Sequence, residues 1–286
     1  MHADRYFEIG STHTVCEDYA LAGTDGGLSW AIVSDGCSSS INTDVGARLL
    51  SHIAKESLQY LHGMGKLFDQ AFLANEFPMF LRHYIIARAL EVKSAMRLDY
   101  EAFDATLLVA FASVPENARG SWGVIAFGDG SVVLKAEDKI RRVRMHYDSN
   151  APYYLSYGMS KDKNDMYHQA FGVDKSLNVL HDLDWMPSDM ESKDPCSPWS
   201  FKAFGQLDGD NVPEQVILFS DGVDSYESKD RSVPFNSDTA TQSLIGYKSI
   251  AGEFVQRRMK AYRKECDKSG ISHYDDVSCA AISLVE

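Results

Sequence analysis

Two kinds of hydrophobic spacing alternate along the chain. Short, dense apolar runs occupy residues 28–34, 107–112, 122–127, 131–135, 216–219 and 277–285. Their length and their β-branched and aromatic content predict buried strands, and the alternating stretch 6–10 predicts a shorter one. Elsewhere apolar residues recur every three or four positions. Val45, Leu49, Leu50, Ile53, Leu58 and Leu61 fall on one face of a helix that Asn42, Thr43 or Asp44 can cap. A second helical region, 67–96, carries Phe68, Phe72, Phe77, Phe80, Leu81, Tyr84 and Ile85, and Pro78 splits or bends it. A third, 238–268, turns basic toward its end, as the helix dipole favours. The stretch 141–212 is the least periodic. It holds Pro152, Pro187, Pro195, Pro198 and the polar cluster 188–194, yet Trp185, Trp199 and Phe201 call for burial. It therefore reads as an irregular, flap-like segment rather than a linker. No fixed-period repeat is visible and both ends contribute strands, so a single domain over 1–286 is expected.

Three of the apolar runs close on the same dipeptide, at Asp35-Gly36, Asp129-Gly130 and Asp221-Gly222. One Asp-Gly after a strand is commonly a hairpin turn. Asp129-Gly130 leads straight into 131–135 and fits that reading well. Three of them, with helices between, predict instead one site assembled from several strand ends. Two acidic pairs, Glu17-Asp18 and Asp275-Asp276, stand at further strand boundaries. Crowded carboxylates repel one another, and some protonate unless a cation intervenes. An all-oxygen ligand set selects a hard ion, Mg²⁺ or Mn²⁺. Gly36, lacking a side chain, would let its carbonyl approach such an ion closely. Two ions sharing a water can lower its pKa and aim it at a phosphorus or carbonyl centre. On spacing alone, a binuclear hydrolase and a scatter of turn-forming and capping aspartates stand about level.

Charge and composition narrow the setting. A formal net charge of −13 disfavours nucleic acid or an anionic membrane as partner, since both need a basic face. Five scattered cysteines form no Cys-x-x-Cys pair, which signals neither a zinc site nor a disulfide framework and suits a reducing cytoplasm. The N-terminus shows no signal-peptide pattern, and no run of 18 or more apolar residues exists. A soluble, cytoplasmic protein is expected. Cys37 as a nucleophile is disfavoured, because Ser38-Ser39-Ser40-Ile41-Asn42 follows it with no arginine before Arg48.

Taken in order, Glu17-Asp18, Val33-Ser34-Asp35-Gly36, Asp104-Ala105-Thr106, Phe127-Gly128-Asp129-Gly130, Phe219-Ser220-Asp221-Gly222 and Asp275-Asp276-Val277-Ser278 resemble the protein phosphatase 2C family. These are metal-dependent protein Ser/Thr phosphatases, and the resemblance runs from about Gly10 to Leu284. It implies an α+β fold: a four-layer α-β-β-α sandwich of two antiparallel sheets flanked by helices. It implies two Mg²⁺ or Mn²⁺ ions. Asp35 would bridge them, the Gly36 carbonyl and, partly through water, Glu17 would sit on one, and Asp221 and Asp275 would hold the other. Asp129 would join Asp221 at a weaker third site, and Asp18 would orient the attacking water that the metals share. Thr106 and Asp276 would be supporting residues. A phosphorylated protein is the implied substrate, with a Ser/Thr kinase system as the opposing activity. Two departures stand out. His13 stands where many members carry a phosphate-clamping arginine and is a candidate catalytic residue that could hydrogen-bond the phosphate without the guanidinium fork, and Cys37 replaces a histidine proposed as general acid in some. They motivate two alternatives: a catalytically weak or inactive relative acting as a metal-binding regulatory module, and a small-molecule phosphoesterase.

Overall fold

The computed structural model describes residues 1–115, 119–137, 139–147, 150–172, 178–182, 191–193, 200–209, 212–228 and 237–285. The apolar runs become strands and divide between two six-stranded antiparallel sheets. One runs β1 (His2–Glu8), β14 (Val277–Ser283), β11 (Gln215–Phe219), β6 (Gly130–Ala136), β7 (Lys139–His146), β8 (Asn178–Asp182). The other runs β2 (Tyr19–Asp25), β3 (Leu28–Ser34), β4 (Leu107–Ser113), β5 (Ser121–Phe127), β10 (Ser200–Gln206), β9 (Glu191–Lys193).

The continuous apolar runs are explained by burial on both faces, because successive side chains of a strand point opposite ways. In β11, Val216 and Leu218 face the interior between the sheets, with Val33, Leu108, Trp122, Val132 and Ile282. Ile217 and Phe219 face outward, onto Val255, Met259 and Tyr262 of α6 (Phe254–Ser269). On the other side Trp30, Ile32, Val109 and Phe111 pack against α1 (Thr43–Gly63) and α3 (Phe77–Met96). Four layers result, helix on sheet on sheet on helix, as the resemblance implies. No helix among the described residues is long and apolar enough to cross a membrane.

Several elements differ from expectation. The region 67–96 is divided between α2 (Gln70–Asn75) and α3, and Pro78 sits in the first turn of α3, where its missing N–H costs nothing. The helix expected over 238–268 is two, α5 (Ser237–Leu244) and α6. The chain between them turns at Gly252 (φ 62°), and Tyr247 packs edge-on against Phe254. The spacing missed β2, whose residues are mostly half-exposed, although it forms a hairpin with β3 through Gly26 and Gly27. Both have positive φ, 54° and 84°, and a Gly-Gly pair after Asp25 was the available signal. Of the stretch 141–212, residues 141–146 belong to β7 and 200–206 to β10, both inside the sheets, and 161–171 form α4 (Lys161–Phe171). Three arginines hid β7. Arg142 is buried on the outer face, donating to Ser131, Asp224 and Asp238. Trp185, Trp199 and most of the cluster 188–194 lie outside the described residues.

Asp129-Gly130 is not a hairpin turn. β5 and β6 belong to different sheets, so this dipeptide carries the chain across the sandwich. Gly222 answers to a different constraint. A Cβ there would lie 1.7 Å from the Asp276 carbonyl oxygen, in the turn behind Asp221. Gly222→Ala should therefore destabilise the protein by about 1–3 kcal/mol through overpacking, read as a lower midpoint in thermal unfolding.

Candidate metal centre

Strand register brings the acidic residues to one end of the sandwich. Tyr19 pairs with Ser34, so Asp18 and Asp35 adjoin. Phe219 pairs with both Cys279 and Ser131, so Asp221, Asp275 and Asp129 adjoin as well. Each carboxylate thus stands just beyond a strand end, where backbone ladder bonds stop and side chains turn to the rim.

Backbone and hydroxyl contacts hold these turns. The Asp35 N–H donates to Thr106 Oγ1 (3.1 Å), the Thr106 N–H to the Asp35 carbonyl (2.8 Å), and Ser34 Oγ to the Thr106 carbonyl (2.6 Å). Ser220 Oγ donates to Asp18 Oδ2 (2.6 Å) and accepts from the Ser278 N–H (3.0 Å), joining three separate turns. Asp276 is buried and accepts from the N–H groups of Gly10 (2.7 Å) and Glu17 (2.6 Å). It anchors the loop that carries Glu17.

A cleft of about 300 Å³ opens at this rim, lined by His13, Asp35, Gly36, Asp129, Asp221 and Asp275 among others. Asp18 lies buried behind it. Glu17 stands at the edge, its Oε1 accepting from Thr43 Oγ1 (2.9 Å), and its carboxylate shares a small cluster with His13 and Asp276. His13 Nδ1 and Nε2 lie 3.2 and 3.4 Å from carboxylate oxygens of Asp276 and Asp275. Both nitrogens lie near carboxylates, and the ring lines the cleft. Sequence reasoning missed the opposite wall, Asn150, Pro152 and Tyr154, which comes from the stretch 141–212 and carried no local signal.

The electrostatics are those of anions with too little counter-charge. Burial pushes Asp18 up to about 7, and the charge of Asp221 adds to it. Burial and Asp221 likewise push Asp129 up to about 7. Burial, then the charges of Asp18 and Asp221, hold Asp35 well above the usual carboxylate range, and burial raises Asp221 too. Burial works against charging His13, but Asp276, Asp275 and Glu17 outweigh it and raise its pKa. No lysine or arginine is among the described residues lining the cleft. Asp18 Oδ1 is buried without a protein hydrogen-bond partner. Clustered buried carboxylates, an orphaned oxygen and an all-oxygen donor set fit a hard divalent cation.

A family model described as Protein phosphatase 2C matches residues 10–249. The match stops short of Asp275, whose place in the cleft rests on the structure alone. A solved bacterial serine phosphatase is 13% identical, with 99% of this chain and 98% of that one covered and a TM-score of 0.53. The Mycobacterium tuberculosis serine/threonine phosphatase PstP/Ppp is 12% identical over 99% of this chain and 98% of its own, with a TM-score of 0.50. At these identities the likeness is one of fold. None of the curated proteins matches.

Proposed function

The chain belongs to the protein phosphatase 2C family, the metal-dependent protein phosphatases, and from that premise we propose how its own residues divide the work. The observation that carries the proposal is the convergence of Asp35, Asp129, Asp221 and Asp275, drawn from both sheets, on one cleft whose described lining contains no lysine or arginine. Asp35, the most deeply surrounded by other carboxylates, would be shared between two Mg²⁺ or Mn²⁺ ions. The Gly36 carbonyl and Glu17 would serve one, Asp221 and Asp275 the other, and Asp129 with Asp221 a third. When bound, such ions neutralise phosphate charge and activate water.

The remaining roles belong to the protein. Asp18 lies buried against Asp35 and is fixed by Ser220, and from there it would orient the attacking water. Thr106 and Ser34 fix the main chain on either side of Asp35, so its carboxylate arrives already oriented. His13, held between Asp275 and Asp276, positions Asp275 rather than gripping phosphate. The substrate is a phosphoserine or phosphothreonine in a protein, and a Ser/Thr kinase system would be its source. We read the chain as one domain, supported by β1 pairing with β14. Free Cys16, Cys37, Cys266 and Cys279 support a cytoplasmic setting.

The protein should hydrolyse a phosphopeptide and p-nitrophenyl phosphate with added Mn²⁺ and lose that activity in EDTA. Equal turnover with and without chelator would remove the metal from the reading.

A further inference from the structure

Asp104 lies at a junction that the metal centre does not account for. Its backbone and its neighbours form the template for the Asp35 turn. The Cys37 N–H donates to the Asp104 carbonyl (2.8 Å), and Gly36 forms an antiparallel bridge with Ala105. Its carboxylate is buried and points to different partners. Ser40 Oγ, in the loop just after the turn, donates to Oδ2 (2.9 Å). Ser156 Oγ donates to Oδ1, and Lys163 Nζ donates to both oxygens at 2.6 and 2.8 Å.

Ser156 and Lys163 belong to the segment that supplies the far wall of the cleft. Ser156 sits in the 3-10 turn Leu155–Met159, directly after Tyr154, and Lys163 in the first turn of α4. The wall is braced by more than one contact. Tyr154 stacks on Tyr157 at 5.9 Å, Tyr157 lies 4.8 Å from Tyr167, and Lys163 stands over the Tyr157 ring at 5.4 Å. Gly158 lies so close to Ile86 of α3 that a Cβ would come within 2.6 Å of it. A buried carboxylate with a cation and two hydroxyls is well satisfied, whereas removing one partner leaves charge stranded. The wall is therefore tied to the turn that carries Asp35 through the Asp104 carboxylate, beside a contact of Tyr154 with the Cys37 side chain.

We propose that Asp104, with Lys163 as its counter-ion, is a positioning and specificity-determining residue. It sets the separation between the Asp35-Gly36-Cys37 turn and the Asn150–Tyr154 wall, and so the width of the cleft that admits a phosphorylated side chain with its flanking peptide. The proposal rests on the phosphatase reading above. A plain structural ion pair that only holds α4 would predict a uniform loss of stability and activity. The positioning role predicts a split, because a small phosphate ester reaches the carboxylate rim without leaning on the wall, whereas a peptide must meet both.

Lys163→Met tests this, with Lys163→Arg as the conservative partner. In Lys163→Met, KM for a phosphopeptide should rise about tenfold, while kcat/KM for p-nitrophenyl phosphate stays within about twofold of wild type. Lys163→Arg should restore the peptide KM. Hydrogen exchange on the metal-free protein supplies a readout independent of turnover. Amides of 37–40 and of 155–163 should lose protection together in Lys163→Met. Loss confined to 155–163 would overturn the coupling, and so would equal kinetic losses on both substrates or wild-type values on both. If the wild type hydrolyses neither substrate, the phosphatase reading fails while the exchange result still decides the coupling. Should Lys163→Met not fold, Asp104→Asn is read against the same exchange and kinetic outcomes.

Discussion

Asp35→Asn should lower kcat/KM on p-nitrophenyl phosphate with saturating Mn²⁺ by on the order of 10³ or more, equivalent to about 4 kcal/mol of barrier. The substitution keeps shape and volume and removes only the charge. Asp35 is where that charge matters most, since Asp18, Asp129 and Asp221 all act on its carboxyl. A neutral amide there weakens the hold on a cation and leaves phosphate charge less well neutralised. The same change should have the opposite effect on the metal-free fold. With one buried anion removed, mutual repulsion falls, so Asp35→Asn in EDTA should melt at a higher temperature than wild type. Slower turnover with a more stable apoprotein is a signature that general misfolding does not produce. An Asp35→Asn protein turning over at the wild-type rate would mean the site is elsewhere.

The metal-free protein should lose stability as pH rises from about 4 to about 7, and divalent cations should restore it. Asp18 and Asp129 each move from 3.8 to about 7 on folding. Their folded-state pKa values are raised, so between those limits the folded state binds more protons than the unfolded one. Stability is then full below the unfolded value and is lost as pH climbs through the folded value. The direction is opposite to that of a protein stabilised by salt-bridged carboxylates. Near pH 7, a cation bound only by the folded state at a hundredfold excess over its Kd adds about 2.7 kcal/mol per site. Thermal unfolding across this pH range, with EDTA and then with Mn²⁺, checks both halves. A metal-free melting temperature that rises from pH 4 to 7 would refute the crowded-carboxylate account.

Much of the fold was legible because burial on both faces writes itself into composition. β3, β4, β5, β6, β11 and β14 are near-continuous apolar runs, since each is sandwiched between the second sheet and a helix layer. Elements that escaped are those whose burial is partial or polar. β2 is half-exposed, and β7 places Arg142 where its neighbours place aliphatics, satisfied by Asp224 and Asp238. The over-long helix at 238–268 shows the same limit. Apolar spacing continues through 245–253, but a nine-residue turn there lets Tyr247 close on Phe254.

The carboxylates were named by sequence because each follows or precedes an apolar run, a one-dimensional mark. Which of them meet, and in what environment, depended on strand register, a property of pairs of segments far apart in the chain. Register put Asp129 at a crossing between sheets instead of in a hairpin, buried Asp18 behind the cleft against Ser220, and turned His13 onto Asp275 and Asp276. It also set Asp104 against Lys163, 59 residues away, a contact that no local pattern announces. Local spacing decides which residues stand at strand ends. Only the packed sandwich decides which ends share a rim, because burial, charge repulsion and hydrogen-bond satisfaction act between neighbours in space.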